Sequence, residues 1–534
     1  MPSITVPGFP ASFLPPGVFL FALFGGGSAA AGVRQRKHVL FGNMIASAIT
    51  GSAPTLSVAA GTATTNTKYF VASAEDAATY FGRGSELHRM ALRFFEQHPT
   101  GTLYAVAVPE TSGSGSAAAT GTLTFVNACT GSVKLRLYLA GEIVEVSFAG
   151  TAASTVAIAT MAEDVCDAVN ARTELPMTAQ FSGGVVTFTA KHAGIRGNGL
   201  EFAAEWVRDS TITTITASAT SSGAATTAAL SSAGGVLTSG AAGATAETIA
   251  TALTTVDAAQ HFIAAAQNDS TAQGLLDVWL AAQAGVMVQY RNQAVACSRA
   301  SLGTATTLAT GLNNERMQMV WHLNSPTPCE EVAAQVMAAR SIGDSSAGGV
   351  LVGEESDPAA NLDGLRLVHV RAARLAADAP TITEQNTAMG VGLAPLVPVA
   401  GGGAALLASV TTRSQDASGQ PNYAVLQTSI VTSIDYCADS IRAAFSVDFA
   451  AFKVQADGTV VRTDRTTTPK DVRSWVKARL KEFEERAILR DVDALDSSLQ
   501  VIEDSGTPGR LLAEIPAKVV PGLHQLAGNL RQAA

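Results

Sequence analysis

The sequence predicts a multidomain α/β and α+β protein. It has a layered α/β core domain, an inserted α+β domain, a C-terminal α+β domain and extended N- and C-terminal arms. Three observations predict this class. The chain has 534 residues, enough for three or four domains of roughly 150 residues. Short apolar strands alternate with capped amphipathic helices. Stretches rich in Ser, Thr, Ala and Gly, at 111–120 and 209–247, separate these blocks.

Residues 1–36 are predicted to form an extended arm. Prolines at positions 7, 10, 15 and 16 exclude a helix there. Val18, Phe19, Leu20 and Phe21 have the composition of a strand, and a glycine-rich stretch after them predicts a hinge. An isolated apolar strand has no neighbour in sequence, so it either inserts into its own domain or pairs with another chain.

The rest of the chain divides by pattern into blocks. Ser73 and Ser85 stand where helix N-caps are expected, each ahead of a helical apolar pattern. Strands are expected at 38–41, 69–71, 103–108 and 286–290, and helices at 154–170 and 423–445. The predicted divisions are the first part of the core at 37–110, the inserted domain at 111–208, a linker at 209–247, the second part of the core at 248–447, and the C-terminal domain at 448–534.

The C-terminal block contains a helix with a basic run. Thr468, Pro469 and Asp471 form a helix start with a cap, a proline at the first helical position and an acid three residues after the cap. The basic residues suggest either a solvated helix face or a contact with an acidic partner surface. They are Lys470, Arg473, Lys477, Arg479 and Lys481. A terminal apolar segment follows, a candidate C-terminal arm with Leu523, Leu526 and Leu530.

Composition excludes several classes of function. Net charge is −9 and the pI is about 5.5, which argues against nucleic-acid binding, since that usually needs a basic footprint. Charged residues are only 15% of the chain, a hint that much of its surface faces other subunits. The apolar run 13–24 is interrupted by Pro15, Pro16 and Gly17. It is too short to span a bilayer, so no membrane insertion is expected.

Neither a catalytic nor a metal motif stands out. The eight histidines show no H-E-x-x-H pattern, and no phosphate-binding G-x-x-x-x-G-K-[ST] occurs. The five scattered cysteines contain no C-x-x-C. The segment 343–349 echoes a nucleophilic serine loop, with His322 as the nearest base in sequence, but it also fits a helix C-cap and a polar loop. We therefore expect no catalytic, cofactor or metal residues and no enzymatic activity.

The order of motifs resembles the phage Mu-like tail sheath family. The opening motifs are Pro16-Gly17-Val18-Phe19, Ser73-Ala74-Glu75-Asp76, Tyr80-Phe81-Gly82-Arg83-Gly84 and Leu103-Tyr104-Ala105-Val106. The inserted block adds Tyr138-Leu139-Ala140-Gly141 and Val186-Thr187-Phe188-Thr189, and Thr468-Pro469-Lys470 opens the last long helix. The likeness covers most of the chain and depends on the order and spacing of the motifs.

This resemblance implies a contractile tail sheath subunit, assembled in the host bacterial cytoplasm into a virion tail or a bacteriocin-like particle. Copies would form stacked rings around a tail tube protein and meet baseplate and tail terminator proteins. The N- and C-terminal arms would complete a sheet in a neighbouring subunit's C-terminal domain, a case of β-augmentation. The basic helix would be a candidate for the tube-facing element.

Two other classes fit some of these observations. A fibre or surface-layer protein would share the Thr, Ala and Gly bias, but it would usually carry a secretion signal and would lack the capped helices of 73–97. A hydrolytic α/β enzyme with a β-rich appendage would need a convergent pocket that the motifs do not reveal.

Overall fold

The computed structural model describes most of the chain. The described residues are 37–125, 128–130, 132–149, 155–207, 218–220, 227–229, 233–257, 261–345, 362–374, 378–458 and 465–522. They form a mixed α/β multidomain fold, which confirms the predicted class. Among these residues, none of the helices combines the length and the apolar character that crossing a bilayer requires.

The first block is a strand–helix–helix–strand unit. Its elements are β1 (Lys37–Asn43), β2 (Ile49–Ser52), β3 (Thr55–Val58), β4 (Lys68–Val71), α1 (Ala74–Phe81), α2 (Glu86–Gln97) and β5 (Leu103–Val108). Ser73 and Ser85 are the N-caps of the two helices, and their hydroxyls accept hydrogen bonds from the amides of Asp76 and His88. Both caps are as predicted, because a serine oxygen satisfies an amide that has no partner in the first turn.

The second block is the inserted α+β unit. Its elements are β6 (Ala118–Thr124), β7 (Cys129–Thr130), β8 (Ser132–Leu139), β9 (Glu142–Ala149), β10 (Thr155–Val156), α3 (Ile158–Ala171), β11 (Met177–Ser182), β12 (Val185–Ala193), β13 (Glu201–Val207), β14 (Ser218–Thr220), β15 (Thr227–Ala229) and β16 (Ala233–Val236). Two antiparallel sheets, ordered β11-β12-β6 and β16-β13-β8-β9, enclose one apolar core with α3. Alternate residues of β8 and β9 supply that core, as period-2 patterning predicts.

Part of the predicted linker 209–247 belongs to this unit instead. β16 pairs with β13 from Glu201 to Ala204. Residues 238, 241 and 245 continue by pairing with 120, 117 and 112. Leu237 is fully buried. Composition alone suggested a linker for 233–245. Small residues also pack closely between strands, however, and here they bring the chain back beside residues 112–120, where the inserted unit begins.

The third block completes the core. Its elements are α4 (Ala250–Leu253), β17 (His261–Ala265), α5 (Ser270–Ala284), β18 (Gln293–Ser298), α6 (Leu302–Leu312), β19 (Met317–Trp321), α7 (Cys329–Ser345), β20 (Leu365–Arg371), α8 (Ile382–Gly390), β21 (Leu393–Pro398), β22 (Gly403–Leu406) and α9 (Thr428–Asp448). The predicted strand 286–290 is wrong: Val288 and Gln289 donate to the carbonyl of Gly285, and Gln289 has a φ of 59°. This turn precedes the real strand, β18.

One nine-stranded sheet joins the first and third blocks. Its order is β20-β22-β21-β19-β18-β17-β1-β5-β4. The six strands from β21 to β5 run parallel, and β1 lies between β5 and β17. The inserted unit therefore interrupts a single sheet in sequence. Helices α1, α2 and α7 pack on one face of this sheet, and α4, α5, α6 and α8 pack on the other.

The last block is built on one helix. Its elements are β23 (Lys453–Val454), β24 (Thr466–Thr467), α10 (Pro469–Glu485), β25 (Leu489–Arg490), β26 (Gln500–Glu503), β27 (Leu511–Glu514) and β28 (Lys518–Val519). Thr468 and Asp471, on either side of Pro469, form a reciprocal capping box, as predicted. Val472, Val476 and Leu480 lie on the buried face of α10, at the helical spacing that the sequence displays.

Candidate assembly surfaces

The predicted basic run lies on the partly exposed side of α10. Four of its five cations form ion pairs with nearby carboxylates. Arg473 pairs with Asp496 at 3.0 Å, and Lys477 reaches Asp493 at 3.5 Å and Asp496 at 3.3 Å. The hydrogen bonds that Lys481 donates to Asp493 and Glu484 raise the pKa of Lys481, and the one to Asp493 lowers the pKa of that carboxyl group. The acids come from a loop that follows the helix and is remote in sequence from its first turns.

These ion pairs offset the positive charge that the basic run places on α10. Arg479 also pairs with Asp448 at 3.2 Å and Glu482 at 2.9 Å. Residues 465–522 contain ten Lys and Arg and ten Asp and Glu, so their net charge is zero. The local excess of positive charge that the sequence displays between 470 and 481 is therefore balanced by neighbouring carboxylates. Whether α10 contacts a partner stays a prediction.

The hairpin of β26 and β27 offers two sheet edges. Four residue pairs, from Gln500–Glu514 to Glu503–Leu511, hold the two strands together. Within the described part of the chain, no third strand pairs with either of them. Val501 is buried against α10, whereas Leu511 and Leu512 are half-buried. A two-stranded sheet is marginal by itself and its edges are templates for another strand.

The predicted N- and C-terminal arms are not among the residues that the structure describes. Val18, Phe19, Leu20 and Phe21 lie outside the described residues, as do Leu523, Leu526 and Leu530. The hairpin edges are therefore defined by the structure, and the strands expected to occupy them remain predictions.

Helix α9 joins the core to the last block through a buried ionic cluster. Asp435 accepts two hydrogen bonds from Arg316, at 2.7 and 2.8 Å, and lies 3.5 Å from the guanidinium of Arg291. Arg291 also donates to Asp439, one helical turn further on. All four side chains are buried. Further along α9, Phe445 and Phe449 contact Trp475 of α10, so this single helix packs against both units.

A second, largely buried cluster fixes the inserted unit to the core. Arg196 donates to Glu86 at 2.9 and 3.0 Å and to Glu247 at 2.6 and 2.9 Å, and it also contacts Asn43. Burial alone would raise the pKa of Glu86, but the charges of Arg196 and His192 outweigh it and hold that pKa at about 2. The carboxylate is thus ionised in the interior, where it needs its cationic partner.

Sequence reasoning missed both clusters. Arg196 and Glu86 are 110 residues apart, and Arg316 and Asp435 are 119 apart. Lone charged residues between apolar ones were the only available signal, and such residues are far more often on the surface. The pairing depends on which strands and helices meet in three dimensions.

His322, the nearest base to the serine-like loop, is a buried core residue. It is 2% exposed, and its Nδ1 has no hydrogen-bond partner within the described residues. Burial lowers its pKa to about 3, and Arg299 acts in the same direction. A ring that stays neutral at physiological pH, enclosed by the fold, has no access to a substrate. Nor do the described residues contain a group of His, Cys, Asp or Glu able to hold a metal ion.

This buried histidine predicts an acid-sensitive fold. The folded protein keeps His322 neutral down to pH about 3, whereas the unfolded chain binds a proton below its usual pKa of 6.5. Since the unfolded state binds more protons between these values, stability falls as pH decreases through that window. At pH 4.5 His322 is expected to lower the free energy of unfolding by about 2–3 kcal/mol. Urea unfolding midpoints at pH 7.5 and 4.5 measure this loss.

The variant His322→Gln should show a smaller loss between the two pH values. His369→Gln serves as the matched control, because that side chain is 39% exposed and should leave the wild-type difference intact. An equal pH dependence in wild type and His322→Gln would contradict the assignment.

Comparisons with known proteins find similarity to phage tail sheath proteins. The sequence-family model of the phage tail sheath C-terminal domain matches residues 420–533. This part of the chain contains α9, α10 and the open hairpin. The Mu-like prophage FluMu tail sheath protein of Haemophilus influenzae is 23% identical over 461 residues, covering 85% of this chain and 86% of that protein. Its C-terminal part thus matches the phage tail sheath C-terminal domain, and most of the chain is similar to a tail sheath protein.

Solved structures that resemble this chain include sheath proteins. The sheath tail protein of Desulfitobacterium hafniense is 13% identical, with a TM-score of 0.43 over 94% of this chain and 97% of its own. The contracted helical sheath of the anti-feeding prophage is 9% identical, with a TM-score of 0.44 over 98% of this chain and 100% of its own. The proteins that this chain resembles are structural tail sheath proteins, in agreement with the expectation that it is not an enzyme.

Proposed function

We propose that this chain is a tail sheath subunit that polymerises around a tail tube as stacked rings. Contraction of the sheath would then drive the tube through a bacterial envelope. The extended lattice would be trapped during assembly on the tube and released from the baseplate. A shorter, wider lattice that buries more surface between subunits would supply the driving free energy. The proposed partners are further copies of the chain, a tube protein, and baseplate and tail terminator proteins, in a particle assembled in the host cytoplasm.

The open hairpin of β26 and β27 is the observation that carries this proposal. An added strand would form about four backbone hydrogen bonds, each contributing a net 0.5–1.5 kcal/mol or so. Burial of Val18, Phe19 and Phe21 from the N-terminal arm would add about 1.5–3 kcal/mol each. A strand lent through a glycine hinge stays paired while whole subunits rotate, because the hinge absorbs the change in backbone angles.

The proposed contact of α10 with the tube is compatible with its ion pairs. Lys470 is exposed, and the other four basic residues are half-buried: Arg473, Lys477, Arg479 and Lys481. An acidic tube surface would have to compete with Asp493 and Asp496 for Lys477. Contacts of this type set the register between partners more than they add affinity. The tube contact would therefore be weak and reversible, as a sheath that slides over its tube requires.

Removal of residues 1–30 tests the lending of the N-terminal arm. The truncated chain is expected to remain a folded monomer and to lose the ability to form hollow sleeves, because its neighbours no longer receive a strand. Negative-stain microscopy of both proteins at equal concentration measures sleeve formation, and circular dichroism confirms folding. Normal sleeves from the truncated chain would refute the proposed exchange of arms.

A further inference from the structure

Two cysteines of the core lie against each other although they belong to different elements. Cys297 is in β18, the central strand of the nine-stranded sheet, and Cys329 is the first residue of α7. Both are free thiols, and their exposed fractions are only 1% and 9%. The thiol of Cys297 donates a hydrogen bond to the sulfur of Cys329. The two sulfur atoms are therefore in direct contact.

The sheet explains how the two thiols meet. Successive side chains of a strand point to opposite faces. Val295 and Cys297 face the core cluster that contains α7, whereas Ala296, between them, faces the cluster on the other side. Cys297 pairs with Val320 of the neighbouring strand β19, from which the chain continues into α7. Strand and helix pack in one cluster, so the core itself holds both sulfur atoms in place.

The two thiols differ in how readily they lose a proton. Burial raises the pKa of Cys297 well above its usual value, so this thiol keeps its proton. The hydrogen bond from Cys297 lowers the pKa of Cys329, against the effects of burial and of Glu330. The charge and the backbone N–H of Arg299 act in the same direction as that hydrogen bond. The first turn of a helix also favours a thiolate, which makes Cys329 the nucleophile of the pair.

We propose that Cys297 and Cys329 are a dithiol that hydrogen peroxide oxidises to a disulfide. The Cys329 thiolate attacks one peroxide oxygen and becomes a sulfenic acid, and the other oxygen leaves as hydroxide, which takes up the proton that Cys329 released. The sulfur of Cys297 then attacks that of Cys329. The S–S bond forms as the sulfenic hydroxyl leaves with the proton of Cys297 as water. Two electrons pass from the sulfurs to the peroxide, which gives one disulfide and two water molecules.

The new bond would tie the central strand to the start of α7. The residues next to Cys329, Glu330 and Glu331, both form buried ion pairs with Arg89 of α2, so the bond would also secure the contact between these two helices. In the unfolded chain it would close a loop of about 30 residues, which restricts that chain and stabilises the fold. The melting temperature should rise by about 5 °C or more.

The chemistry of the pair requires only the folded chain, whereas its timing rests on the proposed function. A reducing cytoplasm keeps thiols reduced, so subunits would assemble without the bond. A particle released from the cell would acquire it on contact with peroxide. The experiments use the purified chain, so their outcome does not depend on whether sleeves form, and the two proposals fail separately.

Peptide mapping after treatment of the folded protein with hydrogen peroxide tests the bond. Trypsin separates the two cysteines, because Arg299 and Arg316 lie between them. Wild type should yield one linked pair of peptides containing Cys297 and Cys329, and dithiothreitol should separate the pair. The oxidised protein should melt about 5 °C or more above the reduced protein. Unlinked peptides, with thiols intact or oxidised to sulfinic or sulfonic acid, would overturn the inference.

Variants of each cysteine test the assigned roles. In Cys297→Ala the sulfenic acid on Cys329 meets no second thiol, so dimedone should label it. In Cys329→Ala the remaining thiol keeps its proton, so dimedone labelling, the linked peptides and the rise in melting temperature should all be lost. Labelling of Cys297 as strong as that of Cys329, or a rise that Cys329→Ala retains, would overturn the inference.

Cys437→Ala is the matched control. Cys437 is also buried, and burial raises its pKa well above its usual value, but it lies in the core of the last block. This variant should give the linked peptides and the rise in melting temperature of wild type. An equal loss of that rise in Cys437→Ala and Cys329→Ala would contradict the inference. If a variant fails to fold, the peptide map of wild type decides alone.

Discussion

Replacement of Asp435 by alanine is expected to lower the free energy of unfolding by about 3–5 kcal/mol. Asp435 accepts two hydrogen bonds from Arg316 and lies beside Arg291, and all three side chains are buried. The substitution leaves the positive charge of Arg316 in the interior without this partner. Removal of one member of a buried ion pair costs more than the pair itself contributes, because the remaining charge is poorly solvated. Urea unfolding followed by tryptophan fluorescence measures the loss.

Asp448→Ala is the matched control on the same helix. Asp448 pairs with Arg479 at 3.2 Å, but its side chain is 39% exposed. Water solvates both charges when the pair is broken, so the expected loss is about 1 kcal/mol or less. A similar effect from the two substitutions would show that burial does not set the strength of the cluster around Asp435.

Replacement of Arg196 by methionine should destabilise the contact between the inserted unit and the core by about 3–5 kcal/mol. Methionine keeps much of the side-chain volume, so the loss reports on charge. Glu86 and Glu247 both accept hydrogen bonds from Arg196 and would face each other without this guanidinium between them. The pKa of Glu86, now about 2, should then rise, since burial favours the neutral acid. Limited proteolysis between the two units and thermal unfolding measure the effect.

Arg136→Met provides the control for Arg196. Arg136 also lies between two glutamates, Glu145 at 2.9 Å and Glu205 at 3.2 Å, but on the solvated side of the inserted unit. Its removal should cause only a small fraction of the Arg196 effect. If Arg196→Met melts at the wild-type temperature and resists protease as wild type does, the buried cluster is not what joins the two units.

Local sequence patterns determined much of the secondary structure. Ser73, Ser85 and Thr468 predicted the starts of three helices, and each accepts the expected amide hydrogen bond. A cap depends on residues within one turn, so it can be inferred without tertiary contacts. Errors arose where local composition is ambiguous, as in 286–290, whose apolar residues form a turn ahead of the true strand at Gln293–Ser298.

Within the candidate surfaces, the sequence alone located the basic residues of α10 and showed that the chain ends in apolar segments. Only the tertiary structure decided that Asp493 and Asp496 balance Lys477. It also decided that β16 returns to the inserted unit, and that Arg196 and Asp435 lie in buried clusters. Periodicity and capping act over a few residues, whereas charge pairing and sheet order join residues more than a hundred positions apart. Those distant partners are fixed only when the whole core packs, which is why the sequence determined the elements and the fold determined their partners.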